Sequence, residues 1–156
     1  MKKNKKMHGH ATGRFASKKN HCFACGKDNP DGMKLKFELE VGKQQAICHL
    51  RVPRRYQGPP GHVHGGIIAT ILDEAMGKVN KLRNVVALTK SMTIEYKRPV
   101  PLGKPLVIVG FEKLVDGRAH HNVAEIRGPK GEVLARSEGL FIAVDAAKMF
   151  AKHIER

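Results

Sequence analysis

Tryptophan is absent, and two tyrosines and six phenylalanines are spread thinly through 156 residues. Nucleic-acid-binding surfaces stack bases on aromatics gathered over a basic strand face, and no such cluster is present. Cysteine is scarce as well. Three residues, an odd number, do not build a disulfide framework and favour a reducing compartment. Long apolar runs are missing: none approaches the length that spans a bilayer, and no apolar segment follows the basic start as a secretory signal requires. A cytoplasmic protein without a membrane partner is expected. The last shortage is of acids, 14 against 29 Lys and Arg, for a formal net charge of +15.

That charge is unevenly placed. Residues 1–20 hold Lys2, Lys3, Lys5, Lys6, Arg14, Lys18 and Lys19 and no acid, which leaves 22 basic and 14 acidic residues in the remainder. The start of the chain is aperiodic and poor in apolar side chains, so residues 1–20 are expected to be a disordered basic tail and residues 21–156 one domain. No helical stretch is strongly basic, so no specific nucleic-acid partner is expected. The surplus charge suits a small polyanionic ligand, whose phosphates attract Lys and Arg.

Alternation and turn signals map the domain. Met33 to Glu40 (MKLKFELE) alternates apolar and charged residues like a half-buried strand. Gly42 and Lys43 suit a hairpin turn, and Gln44 to Val52 returns as a second strand. Ile67, Ile68, Ile71, Leu72, Ala75, Met76 and Val79 then recur at helical spacing. Leu88, Met92, Ile94 and Tyr96 alternate with Thr89, Ser91, Thr93 and Glu95 in a strand ending at Pro99, with Lys90 the one break on its apolar side. Leu106 to Val115, Ala119 to Arg127 and Val133 to Val144 give three more strands, joined at Asp116-Gly117 and Pro129-Lys130-Gly131. Asp145 is placed to cap a short terminal helix with Ala146, Ala147, Met149, Phe150 and Ile154 on its apolar side. The order predicts an α+β fold, one antiparallel sheet wrapped on one long central helix.

The helix start carries the densest chemistry. A loop rich in Gly and Pro, Tyr56 to Val63, delivers His64, Gly65 and Gly66 to a helix N-terminus. Unpaired N–H groups and the positive end of the helix dipole point outward there. Asp73 follows nine residues after His64, about two and a half turns on. Oriented donors and a carboxylate are suited to polarising a carbonyl and driving water, or the carboxylate itself, at its carbon. Glu74 has Lys78 four residues on and reads as a surface pair. Asp73 has Ala69, Thr70, Met76 and Gly77 on its face, with no basic partner and little bulk to block a substrate.

Three stretches then resemble one family: HCFACGKDNPDGMKLKF (His21 to Phe37), YQGPPGHVHGGIIATILDEAMG (Tyr56 to Gly77) and LTKSMTIEYKRPVPLG (Leu88 to Gly103). Over Cys22 to about Val144 the chain is similar to hotdog-fold thioesterases, specifically the PaaI-type acyl-CoA thioesterases. The resemblance implies hydrolysis of an acyl-CoA to the free acid and coenzyme A, with no cofactor beyond the coenzyme A of the substrate. It implies that Asp73 is the catalytic carboxylate, as general base or as nucleophile. Gly65 would polarise the thioester carbonyl through its N–H, His64 would orient the substrate, and Thr89, sixteen residues after Asp73, would also stand at the site. Gly66 serves substrate contact or close packing, and Asn29 lines the acyl pocket or simply forms its Asn-Pro turn. Lys90, Lys97, Arg98 and Arg55 are candidates for the nucleotide phosphates. The family further implies a homodimer, or a homotetramer of paired dimers, with each site across the dimer interface.

Cys22-x-x-Cys25 lacks the second pair that a zinc site wants. Cys48 and His49 are adjacent in a predicted strand and point to opposite faces, and no thioredoxin-like setting surrounds the pair. No metal is expected; the segment reads as a structural lead into the first strand, and His120-His121 as strand surface. A non-catalytic acyl-CoA binder or sensor is the alternative function, and a hydratase acting on the same ligands is a further possibility within the fold.

Overall fold

The computed structural model describes residues 19–154. Residues 1–18 of the expected tail lie outside the described residues. Six strands and one long helix follow in the expected order: β1 (Glu38–Glu40), β2 (Gln45–Leu50), α1 (Gly65–Val79), β3 (Ala87–Tyr96), β4 (Leu106–Asp116), β5 (Ala119–Arg127) and β6 (Val133–Ala143). A terminal helix, α2 (Ala146–Phe150), closes the chain, with the Asp145 carboxylate accepting from the Lys148 N–H at 3.1 Å. The strands form one antiparallel sheet in the order β1-β2-β4-β5-β6-β3, curved around α1 in the hotdog arrangement.

The apolar stripe of α1 is what the sheet wraps. Ile71, Leu72, Ala75 and Met76 are fully buried against Ile108, Ala124, Ile126 and Phe141, and Val79 is fully buried where α1 meets Gly110. Two glycines let the helix lie this close. A Cβ on Gly110 would stand 2.5 Å from the Ala75 carbonyl oxygen, and one on Gly139 would meet Phe141 and Met76 at 2.9 and 3.0 Å. Truncating one large stripe residue such as Ile71 to alanine would cost about 2–5 kcal/mol.

Four expectations change. The first strand begins at Glu38, because the Met33 and Leu35 N–H groups donate to Phe23 and Ala24 at 2.8 Å instead of to β2. The hairpin turn is a 3-10 turn over Val41–Lys43 closed by Gln44 at φ 52°. His120 is 3% exposed, because β5 turns it toward the helix opposite buried Phe141, whereas His121 faces outward. The fourth concerns β3, where Thr89 pairs with Phe141 and Ser91 with Leu140, so Lys90 is an extra, bulged residue. The bulge reverses the alternation. Thr89 therefore shares the helix-facing side with Met92 and Ile94, and Leu88, expected inside, is 40% exposed.

Candidate active site

The bulge decides where the threonine goes. With Thr89 turned inward, its Oγ1 donates to Asp73 Oδ1 at 2.6 Å, joining α1 to β3. Asp73 is half-buried and has no lysine or arginine partner among the described residues. A carboxylate held by one hydroxyl keeps its second oxygen for a substrate or a water.

The helix start is built by its own loop. The His64 N–H donates to Tyr56 O at 2.9 Å and the Val63 N–H to Val100 O at 2.8 Å, which ties the loop to the chain after β3. A Cβ on Gly58 would lie 2.7 Å from the His64 Cα, so glycine is required where the loop crosses itself. His64 is the N-cap of α1: its Nδ1 accepts the Gly66 N–H at 2.9 Å. That bond leaves Nε2 to carry the proton of the neutral ring and point away as a donor. A Cβ on Gly66 would crowd the His64 ring at 3.2 Å, so Gly66 serves the cap and its N–H is committed. The Gly65 N–H meets no acceptor among the described residues, while Tyr96 Oη donates to the Gly65 carbonyl at 3.1 Å.

These two half-sites do not converge within one chain. Gly65 and Asp73 are eight helical positions apart, roughly 12 Å along the axis. One carbonyl cannot lie about 3 Å from both. The candidates for phosphate binding split in the same way. Arg55 stacks over Tyr56 at 4.8 Å beside the loop that carries His64, and Lys97 and Arg98 follow Tyr96 at the helix start, Lys97 near Glu95 at 3.7 Å. Lys90 sits in the bulge beside Thr89. Asn29 spends both polar atoms in its own loop, donating to His21 O at 3.1 Å and accepting from the Asp31 N–H at 3.0 Å, which is the turn-forming role.

One cluster is not legible in the sequence. Glu74 and Lys78 are not a surface pair: their ion pair is 3.0 Å long and the side chains are only 16% and 15% exposed. The Cys22–Cys25 turn folds onto α1 and covers them, with Lys78 Nζ 3.1 Å from Cys25 Sγ. Burial, reinforced by the Glu74 carboxylate, pushes the Cys25 thiol up to about 11. Burial opposes the charge on Lys78, yet Glu74 and Cys25 hold its pKa above the ordinary lysine value. Cys22, Cys25 and Glu74 place three ligand-type atoms within 4.8 Å of one another, and the one carboxylate among them, Glu74, is paired with the Lys78 ammonium.

The chain is similar in sequence and in fold to known thioesterases. The family model described as thioesterase superfamily matches residues 60–114, the loop, α1, β3 and most of β4. The acyl-coenzyme A thioesterase THEM4 of Mus musculus is 32% identical over 123 residues, 72% of this chain and 53% of that protein. A crystal structure of a thioesterase superfamily protein superposes with a TM-score of 0.74 at 33% identity, covering 79% of this chain and 60% of that one. A hypothetical thioesterase from Streptococcus pneumoniae TIGR4, solved with coenzyme A, shares the fold at a TM-score of 0.66 and 17% identity over 72% of this chain and 90% of its own. The chain spans about half the length of the curated relatives it matches.

Proposed function

This chain belongs to the thioesterase superfamily, and from that premise we propose that it hydrolyses acyl-CoA thioesters to the free carboxylic acid and coenzyme A. The observation that carries the reading is the Thr89–Asp73 hydrogen bond of 2.6 Å, which fixes a carboxylate that has no cationic partner among the described residues, on a helix whose first N–H meets no acceptor among them. Asp73 removes a proton from water as it attacks the thioester carbon, or attacks that carbon itself and is released by water. In both routes the carbonyl electrons move onto oxygen, and the Gly65 N–H and the helix dipole stabilise that charge. The carbonyl then reforms, the C–S bond breaks and coenzyme A leaves as the thiolate, which takes up the proton held by Asp73 in the first route and one from water in the second. His64, through its Nε2–H, orients the substrate. The chemistry is proton and electron-pair movement, so it calls for no metal or further cofactor.

The roughly 12 Å between Gly65 and Asp73 supports a composite site. Two copies related by a two-fold axis would bring the helix start of one to Asp73 of the other, with β3, one of the two edge strands of the sheet, available for pairing. The working unit is therefore a homodimer, or a homotetramer of two such dimers. Arg55, Lys97, Arg98 and Lys90 rim the two half-sites and suit the phosphates of coenzyme A. All three cysteines are free thiols, in keeping with a cytoplasmic setting. Among the described residues no helix is long and apolar enough to cross a membrane.

Thiol release from a panel of acyl-CoAs, followed for wild type and Asp73→Asn, tests the reading. The amide can neither take a proton nor attack, so turnover falls by about 100- to 10,000-fold while the fold is kept. Unchanged turnover in the variant refutes the role of Asp73. A wild type that binds acyl-CoAs and never releases thiol replaces the enzyme by the binding protein.

A further inference from the structure

A cleft of about 680 Å³, within the size range of ligand pockets, runs along the C-terminal half of α1; Asp73 and Thr89 do not line it themselves, but it reaches the residues one helical turn after Asp73 and two before Thr89. Its near walls are apolar: Gly77, one turn after Asp73, with Val86 and Ala87 just before Thr89, and Phe150 and Ile154 beyond. Its further reaches are basic. Lys78 is neutralised there by Glu74, but Lys81 has no carboxylate within ion-pair distance among the described residues, and His21 and His153 flank the same space. Desolvation, with the Lys78 ammonium nearby, holds Lys81 below the ordinary lysine pKa, an environment that an incoming anion would relieve. Lys81 follows Asp73 by eight positions, so its backbone lies about 12 Å further along the chain axis.

Resting on the thioesterase reading, we infer that this cleft receives the acyl group and selects medium-length acyl chains ending in a carboxylate, which Lys81 meets at the far end. A thioester carbonyl at Asp73 places the chain against Gly77 and Ala87, where bulk is least. The apolar walls hold its methylene groups by burial, and the Lys81 ammonium takes the terminal charge. A plain fatty acyl chain of the same length would bring Lys81 no carboxylate. Gly77 is open toward the cleft, since a Cβ there would meet only Phe141, at 3.9 Å.

The test compares thiol release from octanoyl-CoA and octanedioyl-CoA, equal in chain length and differing in the terminal group, by wild type, Lys81→Gln and Lys81→Arg. Wild type is expected to favour octanedioyl-CoA by about tenfold or more in kcat/KM. That ratio should fall to about one in Lys81→Gln and be restored in Lys81→Arg. A wild-type ratio near one, or a ratio unmoved in Lys81→Gln, overturns the assignment while leaving thioester hydrolysis standing. If neither compound nor any other acyl-CoA is turned over, hydrolysis itself is refuted. Calorimetric affinities for the same two compounds then decide the cleft: a preference for octanedioyl-CoA that depends on Lys81 supports it, and equal affinities overturn it.

Discussion

Gly65 is the first residue of α1, and its N–H has no partner among the described residues, while the neighbouring Gly66 N–H is taken by the His64 ring. Proline is tolerated at that first helical position, where its missing N–H costs the helix nothing. His64 is already extended at φ −61° and ψ 138°, as a residue before proline must be. Gly65→Pro therefore removes one donor and leaves the helix in place. The expected outcome is a loss of about 100- to 1000-fold in kcat with an unchanged circular dichroism spectrum. Full activity in this variant would mean that the Gly65 N–H does not stabilise the developing charge.

At the scale of elements, the bulge in β3 does what no side chain does alone. An uninterrupted strand would place Thr89 with Ser91, Thr93 and Glu95 on the outer face, away from Asp73. Deleting Lys90 restores that alternation, and turnover should fall as far as in Asp73→Asn. Lys90→Ala keeps the extra residue; it should retain kcat and raise KM through weaker phosphate binding. Equal kcat losses in the deletion and in the alanine variant would show that the lysine, not the bulge, is what matters. The strand signal in the sequence was strong enough to place the start of β3 within a residue, although the strand stops at Tyr96, short of the expected Pro99, and its one anomaly, a lysine on the apolar side, was the mark of the bulge. Its consequence for Thr89 depends on pairing with β6, which the local pattern does not contain.

The whole molecule carries two further expectations. If the helix start of one copy serves Asp73 of another, mixing Gly65→Pro with Asp73→Asn regenerates one intact site in each mixed dimer. Unfolding and refolding the two inactive variants together should restore activity to a sizeable fraction of wild type, whereas each alone stays inactive. No recovery, with mixed dimers demonstrated by a tag, places the whole site within one chain. The second expectation concerns pH. His120 is buried, and burial lowers its pKa from the ordinary 6.5, with Glu112 opposing and Arg83 adding to the shift. The unfolded chain thus binds a proton in a range where the folded chain does not, so stability is full above about pH 6.5 and declines as pH falls toward the folded pKa. Glu112, held below its ordinary 4.5 by its bond to Arg83, extends the loss to more acid conditions. Urea midpoints measured downward from pH 8 should decline less steeply in His120→Asn than in wild type; parallel slopes would exclude His120 as the source.

The sequence by itself determined the order of elements, the span of α1 and the identity of the chemical groups. Periodicity, turn residues and caps act over a few neighbouring positions, so the helical stripe, the Asp145 cap and the loop rich in Gly and Pro are local facts. Tertiary structure decided which groups meet. Pairing across the sheet turned Thr89 toward Asp73 and buried His120, and packing of the Cys22–Cys25 turn onto α1 made a half-buried cluster of a pair that reads as solvated. Helix length separated Gly65 from Asp73, two residues that lie close in the sequence. Contacts between residues far apart in the chain depend on register, twist and close approach, which are properties of the assembled sheet and helix and not of any short stretch of residues.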